Sequence, residues 1–247
     1  KIGEIISRDI GMTAKVLQLV NSAFFGLPRR VSDPAQAVSL LGLDVIKGLV
    51  FTVHIFSELK VDRAAGIDPD RLWRHSMNVG RLAKRVAASV SNEASGDALI
   101  AGLLHDAGKL MLAANVPEQY AEAVERAKSE DKPMFEVENE VFGISHAELG
   151  GYLLGLWAFP DNIVEALAYH HKPSLSAATG LSPVLAVHVA DAIDHECGVG
   201  GDGGCPQVDL DHLESVGLRD QLPLWREVCL QELEEEGIRD EQTSPIC

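Results

Sequence analysis

The sequence predicts an all-α protein built from two helical lobes. Almost every segment of its 247 residues spaces apolar side chains three and four positions apart, which is typical of helices that bury one face. No segment shows the sustained apolar–polar alternation between hairpin turns that would indicate strands. Hydrophobic residues make up 46% of the chain, which is enough for a sizeable core. We therefore expect helices packed on helices throughout.

The predicted N-terminal lobe covers residues 1–62. It contains four predicted helices, over residues 2–8, 12–20, 34–42 and 44–59. The third helix has a good start, because a capping residue at Asp33 precedes Pro34 in the first turn. The polar stretch Val61–Pro69 contains glycine and proline, and we predict that it separates the two lobes.

The predicted second lobe covers residues 70–198. Its expected helices span residues 70–90, 96–113, 117–130, 134–142, 146–157, 161–171 and 181–196. The remaining residues, 199–247, are predicted to form a flexible glycine-rich loop, two helices near 209–216 and 221–236, and an acidic tail.

Composition limits the function classes. The formal net charge is −16, which argues against sequence-independent binding to nucleic acid or to anionic membranes. The four cysteines lack C-x-x-C spacing, and no signal peptide or long apolar run is evident, so we expect a soluble protein in the reducing cytoplasm. Because Lys1 already opens a helix-like segment, we also expect an upstream part of a longer protein.

Helical stretches of the second lobe place histidine or aspartate in line with their own leucines and valines. The residues concerned are His75, His105, Asp106, His146, His170, His171 and Asp191. Buried ionisable groups are costly unless they are paired or bind a metal. The repeated pattern therefore predicts one interior site fed by several helices.

Helical phase supports this site. His75 shares a row with Leu72 and Val79, at a spacing of three and four residues. Asp106 lies on the apolar stripe of its helix, and Lys109, three positions on, can point at the same place. We interpret His188 and His54 differently, as hydrogen-bonded core residues.

Two further histidines, His195 and His212, are expected to be exposed to solvent. For the predicted site itself, imidazoles combined with carboxylates suit divalent transition ions such as Fe, Mn, Zn or Ni. One or two ions are possible, and two ions bridged by one aspartate can promote phosphoryl transfer. Without metal, the clustered imidazoles would titrate together near neutral pH and could sense protons or anions.

The ordered motifs resemble the HD superfamily of metal-dependent phosphohydrolases, and within it the HDOD domains of bacterial signalling proteins. The segments that carry the resemblance are HSMNV from His75, LLHDAGKL from Leu103, the later His146, His170-His171 and Asp191, and in the first lobe KVLQLVNSAFF from Lys15 and AVSLLG from Ala37. The resemblance implies an N-terminal HDOD-type helical bundle packed on an HD-type helical core.

The resemblance also implies roles for individual residues. Ligands of a first metal would be His75, His105, Asp106 and Asp191, with Asp106 as the bridge. The added ligands of a second metal, as in the related HD-GYP phosphodiesterases, would be His146, His170 and His171. Lys109 would contact a substrate phosphate. The GYP signature is absent, since Lys-Pro-Ser follows His171.

Three functions compete at this point. The favoured one is a signalling output module with a metal or ligand pocket, which works through protein partners and follows a receiver or sensor domain in the same chain. The second is a metal-dependent phosphohydrolase of a nucleotide or cyclic dinucleotide, with Asp106 and Lys109 as its catalytic residues. A nucleic-acid-binding regulator is the weakest, because Arg81, Lys84 and Arg85 form only one small basic patch.

Overall fold

The computed structural model describes residues 10–22, 25, 27, 29–59, 61, 65–90, 94–198 and 206–235. The predicted helix over 2–8, most of the predicted glycine-rich loop and the acidic tail lie outside these residues. The all-α prediction is confirmed, since the described residues form helices and no strand. None of these helices combines the length and apolar character needed to cross a membrane.

The chain divides into two compact units, Lys1–Glu58 and Leu59–Cys247. The predicted limits 1–62, 70–198 and 199–247 stay predictions. Unit 1 contains α1 (Ile10–Val20), α2 (Pro34–Leu41) and α3 (Leu43–Glu58), and each of these helices packs against the other two.

Two side chains of unit 1, Asp33 and Asn21, form hydrogen bonds to the backbone at helix ends. The Asp33 carboxylate accepts hydrogen bonds from the first backbone N–H groups of α2, as the capping prediction expected. At the end of α1, the Asn21 side chain bonds to both the N–H and the C=O of Val31, each at 2.7 Å. This amide therefore fixes the incoming loop against the end of the helix.

Unit 2 contains the remaining helices. They are α4 (Pro69–Ala88), α5 (Ser95–Leu104), α6 (Ala107–Asn115), α7 (Pro117–Glu130), α8 (Met134–Phe142), α9 (His146–Leu156), α10 (Asp161–Tyr169), α11 (Pro183–Glu196), α12 (Leu210–Ser215) and α13 (Leu222–Glu235), with short 3-10 turns at Pro173–Leu175 and Arg219–Gln221. Helices α4, α5 and α11 pack against one another, α10 packs on α5 and α11, and α9 packs on α6 and α10. This arrangement surrounds a common interior.

The prediction of one helix over 96–113 is wrong, because the chain turns at His105 and Asp106. Asp106 has φ −99° and ψ 7°, outside the helical region, and α6 starts after it. The apolar spacing continues across the turn without a proline, so the pattern could not reveal the break. The turn lets two consecutive side chains face the same interior point, although a straight helix would separate them by about 100°.

Close packing of α4 on α5 depends on small residues. A Cβ on Gly102 would lie 2.7 Å from the Gly80 Cα atom, which is closer than real Cβ contacts. Around this crossing the helices bury large side chains such as Leu82, Leu99 and Leu103. This tight crossing brings the side chain of His75 on α4 close to that of His105, which follows the end of α5.

Candidate metal centre

All seven predicted ligand residues lie together in the interior of unit 2. Helix α4 supplies His75, the turn between α5 and α6 supplies His105 and Asp106, α9 begins at His146, the end of α10 leads into His170 and His171, and α11 supplies Asp191. Six of these side chains are buried and His171 is partly exposed. Their role as metal ligands is a proposal, which the geometry below supports.

A first cluster forms around His75. Its Nε2 atom lies 3.1 Å from Nε2 of His105, 3.2 Å from Oδ1 of Asp191 and 3.6 Å from Oδ2 of Asp106. The ligand atoms of His75, His105 and Asp191 are close enough to share one metal ion. Asp106 borders this cluster through its Oδ2 oxygen.

A second cluster contains the three histidines of α9 and of the end of α10. Nε2 of His146 lies 3.0 Å from Nε2 of His171, and the rings of His170 and His171 are 3.9 Å apart. Their ligand atoms could also share one ion. Asp106 borders this cluster as well, because its Oδ1 oxygen lies 3.2 Å from Nε2 of His146. Asp106 therefore stands between the two clusters, as expected for a bridge.

The outer nitrogens of four histidines are already hydrogen-bonded. Nδ1 of His75 pairs with Asp194 at 2.6 Å and Nδ1 of His146 with Glu138 at 2.5 Å, while His105 and His170 donate to backbone carbonyls at 2.7 Å. We assign the proton to Nδ1 in each case, since these partners are acceptors. Each Nε2 atom then points inwards, and it carries a lone pair whenever its ring is neutral.

Two inward nitrogens that face each other need a proton or a metal ion between them. Nε2 of His170 has no hydrogen-bond partner, although this atom is buried. Buried polar atoms are rarely left in this state without an ion or water. Two imidazole nitrogens bound to one zinc ion are about 3.4 Å apart, close to the 3.1 Å between His75 and His105. The residues therefore fit a divalent transition ion.

The local charges shift the pKa values of the histidines in opposite directions. Burial lowers the pKa of His75, but its bonds to Asp191 and Asp194 outweigh burial and raise that pKa to about 10. Burial also opposes protonation of His146, yet Glu138 and Asp106 raise its pKa to about 9. Burial dominates at His170, where it lowers the pKa to about 3.

The two carboxylates of the clusters are held in the charged form. Burial by itself would raise the pKa of Asp106, but the neighbouring His105 ring and the Lys109 ammonium bring that pKa well below its usual value. Nζ of Lys109 lies 2.8 Å from Oδ2 of Asp106. Burial is likewise overcome at Asp191, whose pKa is lowered well below its usual value by His195 and His75. Both aspartates are thus anionic and available to a cation.

Sequence reasoning missed four residues that hold the cluster side chains in place. They are Asp194 behind His75, Asn78 behind Asp194, Glu138 behind His146 and His195 beside Asp191. The expectation that His195 is exposed is wrong, because it follows Asp191 by one helical turn and its side chain is only 9% exposed. The spacing of three and four residues after Asp191 could have identified Asp194 and His195.

The other isolated histidines differ in outcome. His188 is a core residue, as interpreted, with Nδ1 donating to the His170 carbonyl and Nε2 accepting from the Asp209 N–H. His54 is exposed on α3 and not in the core, because the buried face of α3 passes through Thr52, Val53 and Ile55. His212 is half-buried and not exposed; it lies on the short helix α12 next to the buried Leu213.

Comparison with known proteins identifies the family of this chain. The family model of the HDOD domain matches residues 1–173. An uncharacterized protein of Treponema pallidum (strain Nichols) is 27% identical over 169 residues, a match that covers 68% of this chain and 32% of that protein. The chain therefore spans about a third of the length of this curated relative.

Solved structures share the fold. An HDOD domain protein of unknown function from Geobacter sulfurreducens is 26% identical, with a TM-score of 0.75 over 96% of this chain and 82% of that one. A candidate phosphohydrolase from Shewanella amazonensis SB2B is 21% identical, with a TM-score of 0.71 over 96% of this chain and 84% of that one. Since the family model also covers most of the sequence, the chain belongs to the HDOD domain family.

Proposed function

We propose that this chain is the output module of a bacterial signalling protein, in which the interior of unit 2 holds one or two divalent transition ions. The module would act through protein partners in the cytoplasm, downstream of a receiver or sensor domain in the same protein. The proposed ligands are His75, His105, Asp106 and Asp191 for one ion and His146, His170 and His171, with Asp106, for the other.

One observation carries the proposal. Four histidines have their Nδ1 atoms fixed by acceptors, and the Nε2 atoms of His75 and His105 then face each other at 3.1 Å. Such an arrangement is repulsive unless a proton or a metal ion lies between the nitrogens. Hydrogen-bonded outer nitrogens are the usual support of metal-bound histidines.

Burial favours a structural or regulatory ion over rapid turnover. The side chains of His75, His105, Asp106 and Asp191 are only 1–4% exposed, so a bulky substrate has no open contact with this half of the site. An ion held here would join α4, the α5–α6 turn and α11. Because ion binding at such a site contributes to folding free energy, occupancy would set how firmly these helices are held. Partners would then recognise that state.

A second candidate function is hydrolysis of a phosphate ester, such as a nucleotide or cyclic dinucleotide. Lys109 favours it, because a buried ammonium next to the bridging Asp106 can bind phosphate oxygens and offset their charge. His171 is partly exposed and provides the more open side of the site. A divalent ion bound here would supply Lewis acidity toward phosphate. The Shewanella amazonensis neighbour, described as a candidate phosphohydrolase, is compatible with this role.

Metal content tests the proposal directly. Protein purified without chelator is expected to carry at least one equivalent of Fe, Mn, Zn or Ni by plasma mass spectrometry. The double substitution His105→Ala and Asp106→Ala is expected to abolish binding, because it removes a ligand of the first ion and the bridge. His54→Ala, at an exposed histidine of unit 1, is the control and should leave metal content unchanged. A folded wild-type protein that binds no metal would refute the proposal.

Turnover of bis(p-nitrophenyl) phosphate separates the two functions. We expect little hydrolysis by the metal-loaded wild-type protein, because its first cluster is closed to solvent. Strong hydrolysis that disappears in both Asp106→Ala and Lys109→Ala would favour the phosphohydrolase function over the signalling module. Activity that persists in both variants would indicate a contaminating enzyme.

A further inference from the structure

Two of the four inward-facing histidines are supported by buried carboxylates and two by backbone carbonyls. His75 has Asp194 behind it and His146 has Glu138 behind it. His105 and His170 instead donate to the carbonyls of their own helices. The carboxylate-supported histidines belong to different clusters, one in each.

Asp194 is held by its own set of contacts. It lies on α11 three residues after Asp191, so that one helical face supplies both a proposed ligand and a support. Its side chain is fully buried. Its second oxygen accepts a hydrogen bond from Asn78 at 2.9 Å, and Asn78 accepts one from Arg81 at 3.1 Å. The carboxylate is therefore fixed against His75.

Glu138 supports His146 through two contacts with a single oxygen. Oε2 accepts the backbone N–H of His146 at 2.7 Å and lies 2.5 Å from Nδ1 of the same residue. The residue is fully buried on α8, and its other oxygen has no hydrogen-bond partner. The tight turn at Gly143, with φ +71°, and the capping box at Ser145 place His146 over this carboxylate.

A carboxylate behind an imidazole fixes its tautomer and makes the opposite nitrogen a stronger ligand. Removing such a support typically weakens metal binding by about 10- to 100-fold. A neutral carbonyl fixes the tautomer but adds no negative charge. Each cluster thus contains one histidine that is supported by a carboxylate. Asp194 contacts only the first cluster in this way, and Glu138 only the second.

We infer that Asp194 and Glu138 are positioning residues that separately control the two ions, Asp194 that of the His75 cluster and Glu138 that of the His146 cluster. The inference rests on the proposed metal-binding function. It adds that the two ions can be lost independently, although Asp106 borders both clusters.

Titration with Co²⁺ tests the inference, because its visible absorption reports each bound ion. In Asp194→Asn, the affinity for one ion is expected to fall about 10- to 100-fold while the other ion binds as in the wild type. In Glu138→Gln, the opposite ion is expected to weaken. Absorption difference spectra should show that the two variants lose different bands.

Matched controls lie on the same helices. Glu140→Gln on α8 and Glu196→Gln on α11 change exposed carboxylates that pair with surface lysine or arginine. Both controls should bind both ions normally. Asn78→Ala frees one oxygen of Asp194 without removing the carboxylate, and should cause a smaller loss at the same ion as Asp194→Asn. This variant keeps the test valid if Asp194→Asn does not fold.

The outcomes distinguish this inference from the proposed function. A wild-type protein without Co²⁺ binding refutes both. A wild-type protein that binds a single ion, or variants that lose both ions together, overturns the independent control and leaves the proposed function standing. Unchanged affinities in Asp194→Asn and Glu138→Gln also overturn it.

Discussion

The surroundings of His188 and of His170 show two ways of burying an imidazole. Both residues are at most 5% exposed. Both nitrogens of His188 are hydrogen-bonded to backbone groups, at 2.7 and 2.8 Å. His170 has only Nδ1 bonded, and its Nε2 atom faces the cluster without a hydrogen-bond partner. Burial of a histidine therefore does not mark a site, but an unsatisfied nitrogen directed at other ligand atoms does.

The two environments are also neighbours. The backbone carbonyl of His170 accepts a hydrogen bond from Nδ1 of His188, while the His170 ring belongs to the second cluster. On α11, His188 and Asp191 are three residues apart. Both nitrogens of His188 are satisfied by the protein, whereas Nε2 of His170 is not. Variants that affect one environment should therefore leave the other intact.

The largest expected effect comes from Gly108→Ala. A Cβ there would lie 2.0 Å from the backbone oxygen of His146, so α6 must move away from α9. We expect the free energy of unfolding to fall by about 3 kcal/mol or more, as in severe overpacking, together with loss of metal. Urea denaturation and metal analysis measure the two effects. A variant with wild-type stability would show that α6 and α9 are not packed this closely.

Chelation of the wild-type protein is expected to have a comparable effect. Removing an ion present at 100 to 1,000 times its dissociation constant costs about 3–4 kcal/mol of stability. We expect a corresponding drop in the thermal midpoint, measured by calorimetry with and without chelator. If chelation lowers the thermal midpoint of His188→Ala by the same amount, the environment of His188 does not depend on the ion. An unchanged midpoint in the wild-type protein would contradict the proposed difference between the His170 and His188 environments.

His188→Ala itself should cost less. The substitution leaves the His170 carbonyl and the Asp209 N–H without their partner, which typically costs about 1–3 kcal/mol. Metal content should remain that of the wild type. His170→Ala is the counterpart, and it should lower metal affinity. If His188→Ala also removed metal, the two environments would not be independent.

The smallest effect is expected from Gly155→Ala, which also controls for Gly108→Ala. The nearest atom to a Cβ at Gly155 is Cγ1 of Val164, at 3.9 Å, so the side chain fits. Replacing an exposed glycine on α9 with alanine should stabilise the protein by up to about 1 kcal/mol. Equal destabilisation of Gly108→Ala and Gly155→Ala in urea would show that close packing of α6 on α9 is not the cause.

The sequence predicts most of the described helices and the inward direction of several site residues. His75 and Asp191 share rows with leucine and valine in the sequence, and they are buried together with those residues in α4 and α11. The turn at His105 and Asp106 was not predictable, because the apolar spacing continues through it. Backbone geometry at this point is set by packing in the folded protein.

The supporting residues were harder to predict. Asp194 contacts His75 across 119 residues of sequence, and no local pattern encodes such a pair. Glu138 is adjacent to the core residue Val137 and resembles any acidic residue at the edge of a buried face. Its role depends on how the turn at Gly143 brings His146 back over α8. Tertiary contacts of this kind need coordinates.

The last two turns of α11 carry Asp191, Asp194 and His195, all of which face the first cluster. Consecutive residues of a helix are separated by about 100°, so a rotation of α11 by one position would withdraw all three side chains at once. An ion bound in the first cluster, as proposed, would therefore oppose rotation of α11. A partner that rotated this helix would in turn weaken the binding of that ion.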